Sequence, residues 1–79
     1  MALKFDLAEL QAFSAVATLG SFRAAAQSIA LSQPAFSRRI DKLEAALGVR
    51  LLDRSTRRVS LTAVGRDFAS KAQTVLDDL

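Results

Sequence analysis

The sequence predicts a mainly α-helical fold with three helices, a short two-stranded hairpin and a long last helix. Apolar residues recur at helical spacing in two neighbouring segments, namely Phe22, Ala25, Ala26 and Ile29, then Phe36, Ile40, Leu43 and Leu47. After Gly48 the apolar period shortens towards two residues, which is typical of strands. A second helical stripe follows the hairpin and continues to Leu79.

The first predicted helix has a capping signal at each end. Its apolar stripe comprises Leu7, Leu10, Phe13 and Ala17. Asp6 is the expected N-cap, with Glu9 at the capping-box position, and Gly20 is the expected C-cap. Phe5 either forms a hydrophobic staple with this helix or packs against the last helix.

The second and third helices form a predicted helix-turn-helix over residues 22–41. Ser21 and Ser32 are the expected N-caps, and Pro34 is acceptable in the first turn of the third helix. Gly48 ends that helix. Small side chains at Ala25 and Ala26 let the second and third helices cross closely. The short turn between two helices is the feature that defines this motif.

The hairpin adds a wing to the helix-turn-helix. Val49 and Leu51 alternate with polar residues on one side of a polar stretch, and Val59 and Leu61 do so on the other. Arginines lie at the predicted tip, at positions 54, 57 and 58. We therefore predict a winged helix-turn-helix over residues 1–62.

The last helix, over residues 63–79, carries an apolar stripe that one small domain is not expected to cover. Thr62 is its predicted N-cap, and Gly65 in the first turn costs about 1 kcal/mol relative to alanine unless another backbone approaches closely. Val64 and Phe68 are predicted to reach the body. The rest of the stripe is expected to be exposed and to pair with a partner, through Phe68, Ala72, Val75, Leu76 and Leu79.

Composition excludes several classes of function. The chain has 79 residues and contains no Cys, His or Tyr, so we expect no catalytic residue, metal site or cofactor. No apolar run reaches the roughly 18 residues that a membrane span requires. Acidic residues at Asp6 and Glu9 interrupt the N-terminal segment, which argues against a signal peptide. These observations predict a cytoplasmic protein without a membrane partner.

Positive charge is concentrated in one part of the chain. Residues 38–58 contain seven basic and three acidic residues, although the whole chain has a net charge of only +3. This segment covers the third helix and the wing, as a nucleic-acid footprint requires. A solvated basic face without a partner would have the same composition.

The first turns of the third helix are predicted to read DNA bases. The side chains that point away from its apolar stripe there are Gln33, Pro34, Ser37 and Arg38. In a helix-turn-helix these turns enter the major groove, where Gln can bind adenine and Arg can bind guanine. The alternative is an ordinary solvent-exposed polar face.

A second group is predicted to contact the DNA backbone or the minor groove: Ser21, Ser32, Arg39, Lys42, Arg54, Thr56, Arg57 and Arg58. Two alternatives stay open within this group. Arg39 could pair with Asp41 or Glu44 inside its own helix. Arg54 could pair with Asp53 or dock on the body of the domain.

Four spaced motifs resemble a known family. They read F-x-A-V-A-x-x-G-S-F-x-A-A-A from position 13, S-Q-P-A-F-S-R-R-I from position 32, L-E-x-x-L-G-V-x-L-L-x-R from position 43 and R-R-V-x-L-T-x-x-G from position 57. Residues 5–65 resemble the N-terminal domain of LysR-type transcriptional regulators, and residues 67–79 resemble the start of their linker helix.

This resemblance implies sequence-specific binding to double-stranded DNA by a bacterial, nucleoid-associated homodimer, paired through the linker helix. It assigns base contact to the four positions named above and makes Arg57 the best candidate for the minor groove. It also implies an effector-binding domain after Leu79, through which a small molecule would act, and a tetramer in a full-length parent. Two other functions stay open: a helical protein-interaction module that does not bind DNA, and an architectural protein that binds DNA without sequence preference.

Overall fold

A computed structural model describes residues 5–54 and 59–79 and has the predicted winged helix-turn-helix fold. Within these ranges the chain forms four helices and one two-stranded antiparallel sheet, which pairs Leu52 with Leu61 and Asp53 with Ser60. The elements in chain order are α1 (Leu7–Leu19), α2 (Phe22–Ser28), α3 (Gln33–Leu47), β1 (Leu52–Asp53), β2 (Ser60–Leu61) and α4 (Ala63–Asp77).

The predicted capping residues determine where the helices begin and end. The N-cap side chains accept a backbone N–H bond at the start of every helix, at Asp6, Ser21, Ser32 and Thr62. Glu9 completes the capping box of α1. Gly20 and Gly48 end α1 and α3 in the left-handed region, with φ of 69° and 72°.

The core lies between α1, α2, α3 and the base of the wing. Its buried residues are Ala12, Phe13, Val16, Ala25, Ala26, Phe36, Ile40, Leu43, Leu51 and Leu52. The predicted stripe of α1 is partly wrong, because Leu7 is exposed while Ala12 and Val16 are buried. α1 contacts α2 and α3 and also α4, so its buried face is centred further along the helix than the stripe predicted.

The wing differs from the predicted alternation. Leu51 and Leu52 are both buried, Val49 is exposed, and each strand has only two residues. The Glu44 carboxylate accepts backbone bonds from the N–H groups of Leu51 and Leu52, at 2.7 and 3.1 Å. This buried acceptor on α3 fixes the chain before β1, so an alternating pattern does not describe it.

α4 folds back on α1 over more of its length than predicted. The Phe68 ring lies 5.5 Å from the Phe13 ring and 5.9 Å from the Phe5 ring, so Phe5 packs against the last helix. Ala72, predicted to lie beyond the body, is only 2% exposed, and Val64, predicted to reach it, is 50% exposed. The start of α4 instead places Gly65 against Leu51, where a side chain would overlap the Leu51 carbonyl.

Candidate nucleic-acid interface

The first two turns of α3 present polar side chains on a rigid base. Ser32 Oγ accepts the N–H of Ala35 at 3.3 Å, and Phe36 and Ile40 are fully buried beneath these turns. The helix therefore cannot rotate without exposing its core. Of the predicted base-reading residues, three are exposed and Ser37 is half-buried, the exposed ones being Gln33, Pro34 and Arg38.

One groove brings the starts of α2 and α3 together beside the wing. Gln33 lines it on one side and Ser21 on the other, and Val59 of the wing completes it. Ser21 Oγ accepts the N–H of Ala24 at 3.2 Å, which leaves the hydroxyl proton free to donate to an incoming acceptor. Two side chains predicted from separate parts of the sequence are thus close together.

Arg23 is a residue of this groove that the sequence analysis missed. It is exposed in the first turn of α2 and lines the groove together with Gln33. Within residues 5–54 and 59–79 it makes no ion pair. Its signal in the sequence was its place two residues after the N-cap Ser21, which puts a cation where Ser21 was already predicted to meet phosphate.

A second groove lies between the start of α1 and α3. It is lined by Asp6, Ala8, Glu9, Ala35, Arg38, Arg39 and Lys42. Lys42 Nζ lies 3.4 Å from Oε2 of the buried Glu9. Arg39 makes no ion pair with any described residue, and the alternative partners Asp41 and Glu44 are instead bound by Arg54.

The side chain of Arg54 docks on the body of the domain, which was one of the alternatives for this residue. Its Nη2 lies 3.1 Å from Asp41 Oδ1 and 3.4 Å from Glu44 Oε1. The guanidinium carbon also lies 4.9 Å from the centroid of the Phe22 ring, which is a cation–π distance. Arg54 therefore joins the end of β1 to both helices of the helix-turn-helix.

The remaining predicted wing contacts, Thr56, Arg57 and Arg58, lie outside the described residues. Their roles stay predictions.

The end of α4 carries the predicted partner surface. Val75 and Leu79 are 50% and 78% exposed, and Leu76 is half-buried. Val75 also borders an apolar groove with Phe5, Leu10 and Phe68. The chain's own α1 side already covers Ala72, so the available apolar surface begins one turn later than predicted.

No helix in the described part of the chain is both long enough and apolar enough to cross a membrane. Within the same residues, no group of three or more acidic side chains is placed to hold a metal ion.

The fold and the exposed start of α3 define a winged helix-turn-helix domain. The sequence model of the family described as "Bacterial regulatory helix-turn-helix protein, lysR family" matches residues 7–66. The chain belongs to this family, whose members are transcriptional regulators, and the resemblance drawn from the four motifs is confirmed.

Two curated relatives and two solved structures illustrate the similarity. The SDS degradation transcriptional activation protein of Pseudomonas sp. (strain ATCC 19151) is 53% identical over 72 residues, covering 91% of this chain and 24% of the relative. The probable hydrogen peroxide-inducible genes activator of Streptomyces viridosporus is 48% identical over 74 residues, covering 94% and 24%. This chain therefore spans about a quarter of the length of these relatives.

The crystal structure of the BenM_DBD/benA site 1 DNA complex has a TM-score of 0.91 at 38% identity, covering 94% of this chain and 83% of that chain. The CbnR_DBD–DNA complex has a TM-score of 0.87 at 42% identity, covering 92% and 84%.

Proposed function

We propose that this chain binds specific double-stranded DNA sequences as the DNA-binding part of a bacterial transcriptional regulator. The observation that carries the proposal is the exposure of Gln33, Pro34 and Arg38 on the first turns of α3, above a fully buried base. The two solved relatives described above, both complexes with DNA, support it. Such a protein acts at the nucleoid, in the cytoplasm of a bacterium.

Each of the exposed side chains on α3 has a matching base edge in the major groove. The amide of Gln33 can bridge N6 and N7 of adenine, and the guanidinium of Arg38 can bridge O6 and N7 of guanine. Pro34 offers only apolar contact, which suits the methyl group of thymine. Ser37 can donate to or accept from either kind of edge. These contacts give sequence preference.

A second set of side chains positions the domain on the phosphates. Ser21 and Ser32 donate hydroxyl protons at the starts of α2 and α3, where the backbone N–H groups also favour an anion. Arg39 and Lys42 lie on the other side of α3, and Arg23 adds a cation beside Ser21. We place Thr56, Arg57 and Arg58 on the backbone or minor groove at the wing.

Selection from a random-sequence library tests this division of roles. Gln33→Ala and Arg38→Ala should each relax the selected motif at a different base pair, because each lost contact removes roughly 1–3 kcal/mol of discrimination. Arg39→Ala should weaken all sequences alike and reduce the salt slope of binding by about 0.9 per binding site. Lys71→Ala, on the exposed face of α4, is the control and should leave the motif unchanged.

An unchanged motif with either Gln33→Ala or Arg38→Ala would contradict direct readout by that residue. If the unmodified chain binds mixed-sequence DNA as tightly as any selected duplex, it is an architectural binder. If it binds no duplex, the proposed function is wrong and the protein-interaction alternative gains.

We further propose a homodimer formed through the end of α4. The exposed side chains of Val75 and Leu79 continue the apolar groove beside Phe68, and a two-fold pair would bury both copies of this surface. The dimer would place two α3 helices on one side, so that they meet half-sites about one or two helical turns apart. Tetramers and a response to a small molecule would require further parts of a longer parent.

Replacing Val75 and Leu76 together with glutamate should give a folded monomer that binds DNA much more weakly. Both positions lie outside the buried core, so the change should affect association rather than folding. Ser70→Glu with Thr74→Glu adds the same charge to the opposite face of α4 and is the control. Analytical ultracentrifugation measures the result; an unmodified chain that stays monomeric at high concentration, both free and on DNA, would disprove the dimer.

A further inference from the structure

We infer that Arg54 supports DNA binding without touching DNA: it neutralises Asp41 on the DNA-facing side of α3 and ties the wing to the helix-turn-helix. This inference rests on the proposed function and revises the sequence-based assignment of Arg54 as a backbone contact. Arg54 is thus a positioning residue.

The contacts of Arg54 occupy its guanidinium on several sides. Asp41 and Glu44 accept from Nη2 at 3.1 and 3.4 Å, and the ring of Phe22 covers one face at 4.9 Å. The side chain is only 30% exposed. A planar guanidinium held by two carboxylates and an aromatic ring must break these contacts before it can reach a phosphate.

Asp41 explains why such a contact matters for DNA binding. It lies three residues after Arg38 and four after Ser37, so it shares their face of α3. Its side chain is 58% exposed. A free carboxylate on this face would repel the phosphates that flank the groove, and among the described residues Arg54 is the cation that pairs with it.

Glu44 links the same arginine to the wing. Oε1 of Glu44 receives Arg54, while Oε2 accepts the N–H groups of Leu51 and Leu52 just before and within β1. Loss of Arg54 leaves these backbone bonds in place, and Arg50 Nη1 still lies 3.8 Å from Oε1. Removing the guanidinium should therefore unpair Asp41 while the buried carboxylate keeps its partners and the domain stays folded.

A double-mutant cycle on DNA affinity tests the inference, using the 79-residue chain and the duplex that the selection enriches. Arg54→Met keeps the length of the side chain and its contact with Phe22 but removes the charge. It should weaken binding about fivefold to tenfold when Asp41 is present, as expected from one unscreened like charge near phosphate. In an Asp41→Asn background the same change should cost no more than about twofold, and Arg54→Lys should retain most of the affinity.

The exposed pair Lys71 and Asp67 on α4, at 3.2 Å, is the matched control, and its cycle should show no coupling on DNA affinity. Thermal melts confirm that every variant is folded at the temperature of the assay. If Arg54→Met costs the same factor in both backgrounds, Arg54 contacts DNA directly or acts only on stability, and the inference is wrong. If the unmodified chain binds no duplex, the proposed function fails and this inference fails with it.

Discussion

Phe36→Ala should lower the free energy of unfolding by about 3–5 kcal/mol, because it removes a fully buried ring and leaves a cavity. The ring of Phe36 meets the Phe22 ring edge-on at a centroid distance of 5.4 Å, so the cavity would open between α2 and α3. Such a loss is a large part of the roughly 5–15 kcal/mol that stabilises a typical domain. We expect the same direction for Ile40→Ala, with about 2–5 kcal/mol.

Thermal and urea unfolding measure this effect. For a domain of this size each kcal/mol lowers the melting temperature by about 4–8 °C, so Phe36→Ala should shift it by more than about 10 °C. Gln33→Ala is the control on the same helix, since its exposed side chain should leave stability nearly unchanged. A melting temperature that moves no more for Phe36→Ala than for this control would place the core of α3 on another face.

Gly65→Ala should destabilise the domain even though alanine favours helices. An added Cβ at this position would overlap the carbonyl oxygen of Leu51, which is backbone and cannot rotate away. α4 would have to move off the base of the wing, straining the bond from Thr62 N–H to Leu51 O at 3.0 Å and that from Thr62 Oγ1 to Arg50 O at 2.7 Å. Overpacking of this kind typically costs about 1–3 kcal/mol.

A matched pair of variants on the same helix isolates this clash from helix propensity. At the exposed Ser70, the alanine variant should be more stable than the glycine variant by about 1 kcal/mol. At position 65 the order should reverse, with glycine more stable than alanine. Urea unfolding of the four proteins decides the matter. A Gly65→Ala protein as stable as the unmodified chain would mean that α4 does not approach Leu51 so closely.

The starts and ends of the helices could be predicted because they depend on residues close together in sequence. An N-cap side chain such as Ser21 or Ser32 bonds a backbone N–H three residues later, and Gly48 supplies a left-handed conformation at its own position. The inner face of α3 was predicted correctly for the same reason, since Phe36 and Ile40 follow from helical spacing alone. Four spaced motifs were enough to indicate the family.

The predicted base-reading residues are also partly a local property. Once the core face of α3 is known, Gln33, Pro34 and Arg38 must point elsewhere, and all three are exposed. The sequence could not predict that Gln33 shares a groove with Arg23 and Val59, because that groove depends on how α2 and the wing pack beside α3.

The remaining features were decided by contacts between distant parts of the chain. Glu44 reaches seven and eight residues ahead to bind the backbone before β1, and this bond, not strand alternation, buries both Leu51 and Leu52. Arg54 is a wing residue by sequence, yet its charge is held by α3. Ala72 looks unpartnered on a helical stripe, yet it is covered because α4 packs along α1. Periodicity and capping describe single helices, whereas the partner of a buried charge or apolar face depends on how the helices pack, which only the tertiary structure determines.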